Sequence, residues 1–128
     1  MSNRKILIAD NYTLSRNLLS DLCERNHPGF SVEVYQNGRD LEDRILKRGF
    51  DGVALMILEN VMGAGPRGVD VVKKYSGVAC EAGCRIILYS IGEQDVLDEG
   101  VRNSIFAYIE KAQQPLEEVE RTIARALL

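Results

Sequence analysis

The sequence predicts a single α/β domain in which five parallel strands form a sheet covered by helices on both faces. Two observations support this fold class. Short apolar runs alternate with amphipathic helical segments along all 128 residues, and glycine or proline residues separate many of them. Such alternation is typical of βαβ units, because consecutive parallel strands need a helical crossover. No internal repeat or low-complexity stretch interrupts the pattern, so we expect residues 1–128 to form one domain.

The five predicted strands are short runs rich in Ile, Leu and Val. The second alternates apolar and polar residues, whereas the others are almost continuously apolar, as expected for strands buried on both faces of a parallel sheet. The predicted strands are Lys5–Ala9, Phe30–Tyr35, Gly52–Glu59, Arg85–Tyr89 and Ile105–Ile109.

The five predicted helices carry apolar residues three or four positions apart. The first extends to about Asn26, before Pro28-Gly29, and the second ends by Gly49. The fourth, Gly92 to Val101, is shorter and polar, and Pro115 suits the start of the fifth. The apolar positions of the other four are Leu14, Leu18, Leu19 and Leu22; Leu41, Ile45 and Leu46; Val69, Val72 and Tyr75; and Leu116, Val119, Ile123 and Leu127.

The common doubly wound arrangement for a chain of this kind has the strand order 2-1-3-4-5 and is called flavodoxin-like. Ligands of such sheets bind beyond the carboxyl ends of the strands, where the winding direction switches. Strands one and three flank that switch, and Asp10 and Glu59 stand at their ends. We therefore expect any functional site to include these two carboxylates.

Composition and charge exclude several classes of protein. Hydrophobic residues make up 45% of the chain and charged residues 27%, which is ordinary for a globular domain. A net charge of −3 does not favour a nucleic acid or an anionic membrane as partner. The apolar runs are too short to span a bilayer, and Met1–Lys5 has no secretory signal character. We expect a cytoplasmic protein.

The three cysteines fit the same interpretation. Cys23 falls within a helical pattern, whereas Cys80 and Cys84 flank a short loop. An odd number of cysteines in a chain without an export signal favours reduced thiols over a disulfide framework. The alternative is that Cys80 and Cys84 bind a metal or form a redox bridge, although the only histidine, His27, lies far away in the sequence.

Oxygen ligands for a hard cation follow two of the predicted strands. Asp10 and Asn11 end the first strand, Glu59 ends the third, and the backbone carbonyl of Val61 lies in the glycine-rich loop that follows. Mg²⁺ prefers six oxygen ligands and usually keeps several waters, so one or two carboxylates and a carbonyl suffice. The sequence therefore predicts that Asp10, Asn11, Glu59 and Val61 bind Mg²⁺, if a metal binds at all.

A hydroxyl and an amine follow the fourth and fifth strands. Ser90 could hold a phosphoryl oxygen, and Lys111 could pair with a carboxylate at rest and with a phosphate after transfer. In phosphoryl transfer a protein mainly positions groups and neutralises charge. Ser90, Lys111 and the carboxylates near the switch are the groups that such a reaction needs.

The sequence resembles the receiver domain of bacterial two-component response regulators over essentially its full length. Ile6–Asn11 is similar to the family's first strand with its acidic pair, and Leu58–Met62 to the acceptor segment, in which methionine follows an aspartate by three residues. Ile87–Ser90 matches the strand that ends in Ser or Thr. Tyr108–Lys111 matches the last strand, with an aromatic switch residue three positions before the lysine. The resemblance implies that Ser90 and Tyr108 are switch residues.

Two departures from the family pattern bear on function. Asn11 replaces the second acidic residue, so the site should bind Mg²⁺ less tightly, and Glu59 replaces the aspartate that accepts phosphate from a histidine kinase. One added methylene moves a carboxylate by roughly an ångström, and a misplacement of that size can cost on the order of 100-fold in rate. In addition, Gly63 replaces the family's proline after the methionine, and the segment 62–68 is one residue longer than usual.

These features predict an atypical receiver that is phosphorylated weakly or not at all, and that is a signalling module and not a turnover enzyme. The longer Glu59 is expected to reach Ser90 and Lys111 and to imitate a phosphoaspartate in part. The partners implied are an output domain or effector protein, and a histidine kinase or phosphotransfer protein if phosphorylation survives. The resemblance also places a homodimer contact on the face of helix four, strand five and helix five.

Other interpretations remain open at this stage. The chain could be a small phosphohydrolase or phosphotransferase, or an interaction scaffold that has lost its site. Asp10 and Asn11 could be helix N-caps, Glu59 a solvated loop residue, and Lys111 a surface lysine. Ser90 could be an ordinary strand end and Tyr108 could serve packing alone. The polar helix with Gln94, Asp95, Asp98 and Glu99, and with Val96, Leu97 and Val101 as its apolar positions, could be a solvated face. The ending Ala126–Leu128 favours a segment of a longer protein over a stand-alone receiver.

Overall fold

A computed structural model describes residues 3–91 and 97–128 of the chain. It contains one parallel sheet with the order β2-β1-β3-β4-β5, which confirms the predicted flavodoxin-like fold. The strands are β1 Lys5–Ala9, β2 Ser31–Tyr35, β3 Val53–Leu58, β4 Arg85–Ser90 and β5 Ala107–Glu110. The helices are α1 Thr13–Asn26, α2 Gly38–Arg48, α3 Gly68–Glu81, α4 Glu99–Ser104 and α5 Leu116–Ala126.

Successive residues of the central strands are buried on opposite faces of the sheet, which divides the core into two layers. In β1, Leu7 and Ala9 face the cluster that includes residues of α2, α3 and α4, whereas Ile6 and Ile8 face the cluster that includes residues of α1 and α5. All four are inaccessible to solvent. Burial on both faces explains why these strands appear in the sequence as continuous apolar runs.

Several predicted boundaries differ from the structure. Strand five begins at Ala107 and not at Ile105, because Ile105 and Phe106 belong to the connection between α4 and the strand. Within the described residues helix four begins at Glu99, where the Asp98 side chain accepts a hydrogen bond from the Val101 backbone N–H at 2.9 Å. The proposed earlier part of that helix, Gly92 to Val96 and with it Gln94 and Asp95, lies outside the described residues.

Not every residue on a predicted apolar face is buried. Leu14 is 87% exposed and Leu46 is 68% exposed, whereas Leu19, Leu22 and Leu41 belong to the core. Leu14 lies in the first turn of α1 and Leu46 in the last turn of α2. Both positions fit the helical period, but each lies at an end of its helix, so helical spacing alone did not ensure burial.

The loop between β3 and α3 packs closely on the start of α2. The Arg39 backbone N–H donates to the Ala64 carbonyl at 3.0 Å, and a Cβ atom on Gly38 would lie 1.9 Å from the Pro66 carbonyl oxygen. Gly65 has φ of +84° and would place a Cβ 2.2 Å from the Arg39 nitrogen. These contacts need glycine at both positions, and they fix the loop that follows the candidate site.

Candidate functional site

The strand ends near the winding switch bring four predicted residues together: Asp10, Glu59, Ser90 and Lys111. Backbone hydrogen bonds continue past the strands, from the Glu59 N–H to the Ala9 carbonyl at 2.9 Å and from the Lys111 N–H to the Ser90 carbonyl at 2.8 Å. These bonds fix where each side chain begins. We call these four residues the ionic cluster.

Glu59 is 5% exposed, and its side chain does not extend into solvent. Oε1 accepts hydrogen bonds from the Ser90 hydroxyl at 2.6 Å and from the Asn60 backbone N–H at 2.9 Å. Oε2 lies 2.5 Å from the Lys111 ammonium nitrogen. Among the described residues no donor makes a hydrogen bond to Oε2, so the ion pair with Lys111 is the contact of this oxygen within the cluster. The Glu59 carboxylate thus spans from Ser90 to Lys111.

Lys111 is the cation of the cluster. Its ammonium nitrogen donates to Asp10 Oδ2 at 2.7 Å and contacts Glu59, while its side chain is only 8% exposed. Burial acts to lower the pKa of Lys111, but the hydrogen bond to Asp10 and the close contacts with the negative charges of Asp10 and Glu59 outweigh burial and raise that pKa. Lys111 is therefore a fully charged ammonium at neutral pH.

Asp10 is the more buried of the two carboxylates in the cluster, with 1% exposure. Its Oδ1 accepts a hydrogen bond from the Tyr12 backbone N–H at 2.9 Å. The N-cap of α1 is Tyr12, so neither Asp10 nor Asn11 has that role. Burial raises the pKa of Asp10 against the opposing effects of Lys111 and the Tyr12 N–H. With both carboxylates ionised the cluster carries one net negative charge, from two anions and one cation.

Two tyrosines that the sequence did not single out flank the ammonium. The Lys111 nitrogen lies 5.2 Å from the ring centroid of Tyr12 and 5.2 Å from that of Tyr89, within the range of cation–π attraction. Tyr12 is half exposed at the start of α1, and Tyr89 is buried in β4. Their positions beside Asp10 and Ser90 are visible in the sequence, but their orientation toward Lys111 is not.

The remaining predicted site residues lie outside the ionic cluster. Asn11 and the Val61 side chain are exposed, and no hydrogen bond from either to the cluster occurs in the described part of the chain. Tyr108 is partly buried on β5 and packs against the core cluster that includes residues of α2, α3 and α4. The roles of Asn11, Val61 and Tyr108 stay predictions.

The resemblance to receivers implies Mg²⁺, and the ionic cluster allows a test of that expectation. Asp10 and Glu59 are hard oxygen donors, but both already contact the Lys111 ammonium. A divalent cation would have to compete with this ammonium for the same oxygens. Across residues 3–91 and 97–128, no three Asp, Glu, His or Cys side chains gather as a metal site. In this arrangement the donors do not fit Mg²⁺, and its binding stays a prediction.

The cysteines lie apart from the cluster and are all free thiols. Cys23 and Cys84 are buried, and burial raises the pKa of each to about 12, whereas Cys80 is exposed. Buried protonated thiols are unreactive. No helix in the described ranges combines the length and the apolar character that crossing a bilayer requires.

Comparisons with known proteins identify the fold. No protein-family model and no curated protein sequence matches the chain. A receiver domain (CheY-like) of a response regulator from Methylobacillus flagellatus is a structural match with a TM-score of 0.73 and 19% identity, covering 98% of this chain and 99% of that one. A LuxR-family DNA-binding response regulator from Staphylococcus aureus matches with a TM-score of 0.77 and 19% identity, over 98% and 99% of the two chains.

A third structure shows the same fold in a larger architecture. The N-terminal domain of a response regulator/sensory box/GGDEF 3-domain protein from Carboxydothermus hydrogenoformans matches with a TM-score of 0.75 and 15% identity, over 97% of this chain and 94% of that one. The chain therefore has the fold of response regulator receiver domains. Because one fold supports many functions, the function has to be argued from the ionic cluster.

Proposed function

We propose that the chain is an atypical receiver module of two-component signalling that acts with little or no phosphorylation. The observation that carries this proposal is the Glu59 carboxylate, which contacts the Ser90 hydroxyl at 2.6 Å and the Lys111 ammonium at 2.5 Å. A phosphoryl group on a shorter aspartate would present its oxygens to the same hydroxyl and ammonium. The longer glutamate supplies a negative oxygen to each of them without any covalent modification.

The same contacts make Glu59 a poor phosphoryl acceptor. To form an acyl phosphate, a carboxylate oxygen must attack phosphorus, and it needs a free lone pair aimed at the donor. Oε1 already accepts two hydrogen bonds, and Oε2 is held by the ammonium. Attack through Oε1 therefore requires that its two hydrogen bonds break first, and attack through Oε2 is disfavoured because the ammonium at 2.5 Å offsets its charge. A phosphohydrolase that used Glu59 as nucleophile would meet the same obstacle, so we expect no turnover of generic phosphatase substrates.

A module that acts without phosphorylation would present its binding surface to partners at all times. An output domain or effector protein would recognise a surface near the ionic cluster. In this proposal Ser90 on β4 and Tyr108 on β5 connect that surface to the cluster. The matched structures from Staphylococcus aureus and Carboxydothermus hydrogenoformans belong to proteins whose names include DNA-binding or GGDEF functions, which supports an output-domain partner. A histidine kinase or phosphotransfer protein would be a partner only if Glu59 accepts phosphate. The face of α4, β5 and α5 is the proposed homodimer contact.

The experiment that tests this proposal is incubation with a small-molecule phosphodonor and Mg²⁺, followed by intact-mass measurement. The wild-type chain should gain no phosphoryl group at the rates of ordinary receivers. The Glu59→Asp variant should gain one, because the shorter side chain releases its contacts and restores an aspartate. Glu59→Gln, which has nearly the same shape and no charge, is the matched control and should remain unmodified. Rapid modification of wild-type Glu59 would overturn the proposal.

A further inference from the structure

We infer that Tyr12 and Tyr89 form an aromatic cage that holds the Lys111 ammonium between Asp10 and Glu59, so that lysine serves as the resident cation of the site and keeps divalent metal out. The inference deepens the proposed function, on which it rests, because it explains how the ionic cluster stays closed without Mg²⁺. Tyr12 and Tyr89 are positioning residues in this account, and they act through Lys111.

The cage consists of two rings that come from separate parts of the chain. Both ring centroids lie 5.2 Å from the Lys111 nitrogen, and the two rings come from different elements, the start of α1 and the end of β4. An ammonium that has left bulk water gains most from such rings, since little solvent screens the attraction. The 8% exposure of the Lys111 side chain meets that condition.

The cage and the carboxylates support each other. Asp10 accepts a hydrogen bond from the Tyr12 backbone N–H, so the residue that binds the ammonium also places one of the rings. Tyr89 directly precedes Ser90, which donates to Glu59, so the second ring shares a strand with the Glu59 contact. Two anionic and two aromatic contacts therefore converge on one nitrogen. A divalent cation that binds both carboxylates must displace that nitrogen from them, against the attraction of the two rings.

Competition between Lys111 and metal gives a measurable consequence. Substituting Tyr12 by leucine keeps an apolar side chain but removes the ring face, and Tyr12 is 56% exposed, so the core is undisturbed. Loss of one cation–π contact should make Lys111 easier to displace and should raise the apparent Mg²⁺ affinity on the order of tenfold. Tyr12→Phe keeps the ring face and is the matched control, with a Mg²⁺ affinity within about twofold of wild type.

The test is a Mg²⁺ titration of wild type, Tyr12→Leu and Tyr12→Phe, followed by amide NMR shifts at the strand ends, with NaCl at equal ionic strength as reference. No phosphodonor is present, so the result is independent of whether Glu59 accepts phosphate. Equal Mg²⁺ affinities for Tyr12→Leu and wild type would overturn the cage. Phosphorylation of wild-type Glu59 in the separate assay would overturn the proposed function instead.

A second measurement needs no variant. The Nζ and ζ-proton signals of Lys111 in the wild-type protein should be resolved from those of the other lysines, shifted by the two ring currents and slow to exchange with water. A Lys111 ammonium signal that coincides with those of exposed lysines would overturn the inference. This outcome holds even if Tyr12→Leu proves too unstable for titration.

Discussion

Replacing Lys111 by methionine probes the ionic cluster most severely. The substitution keeps a long, flexible and apolar side chain but removes the ammonium that contacts Asp10 at 2.7 Å and Glu59 at 2.5 Å. Both carboxylates are at least 95% buried, and they would be left without a cation partner in the cluster. Removing one partner of a buried ion pair typically costs about 3–5 kcal/mol.

The lower end of that range applies here, because the cluster lies at the edge of the sheet and protonation of Asp10 can relieve part of the repulsion. We therefore expect Lys111→Met to lower the free energy of unfolding by about 3 kcal/mol at neutral pH. Urea unfolding with an unchanged m-value measures the loss. Lys74→Met is the control, because the ion pair of Lys74 with Glu42 is exposed, and its removal should change stability far less.

The effect of Mg²⁺ on the stability of Lys111→Met shows whether the variant is destabilised by its unpaired carboxylates or by poorer packing. Without Lys111, the two carboxylates are open to a metal, so Mg²⁺ should stabilise the variant by about 1.4 kcal/mol when its concentration is ten times the dissociation constant. The wild-type chain should respond much less at the same concentration. A loss below about 1 kcal/mol, which is typical of a surface pair, would show that Lys111 does not balance two buried charges, as would equal Mg²⁺ effects on both proteins.

Three further predictions concern other contacts. Ser90→Ala removes the hydroxyl that donates to Glu59 Oε1, and urea unfolding should show a loss of about 1–3 kcal/mol, with a much smaller change for the control Ser20→Ala, whose hydroxyl makes a surface hydrogen bond to Glu24. Burial acts to raise the pKa of Glu33, but its hydrogen bonds and the nearby arginine charges have the larger combined effect and lower that pKa. Its contribution to stability is therefore present above the ordinary value of 4.5 and is lost as pH falls through the folded-state pKa. Thermal melts from pH 7 to pH 3 should show a flatter acid limb for Glu33→Gln, and an unchanged limb would count against this assignment. Gly65→Ala should destabilise by more than about 1 kcal/mol, because alanine is disfavoured at φ of +84° and its Cβ would strike the α2 backbone; a neutral effect in urea unfolding would contradict that contact.

The sequence was sufficient to predict the fold and to place the four residues of the ionic cluster at one edge of the sheet. The alternation of apolar runs and amphipathic segments determines a parallel sheet, and the carboxyl ends of parallel strands meet at one edge. Asp10, Glu59, Ser90 and Lys111 could therefore be predicted as neighbours without knowing any distance. What the pattern could not supply was the direction of each side chain beyond the strand.

Asn11, Tyr12 and Leu14 illustrate that limit. They follow one another within a few positions, yet Asn11 and Leu14 are exposed, whereas the Tyr12 ring lies against Lys111. Which of them approaches the cluster depends on the turn that the Asp10 side chain makes with the Tyr12 N–H, a three-dimensional detail without a periodic signal. The start of α4 likewise depends on the Asp98 cap, and capping residues are common outside helices as well.

A crystal structure determined with Mg²⁺ and a phosphate mimic present would show where the Glu59 carboxylate points. We expect that Glu59 still accepts a hydrogen bond from Ser90 and still contacts Lys111, with no metal between residues 10 and 59. A carboxylate turned toward bulk solvent, or bound to Mg²⁺ with Lys111 displaced, would contradict it.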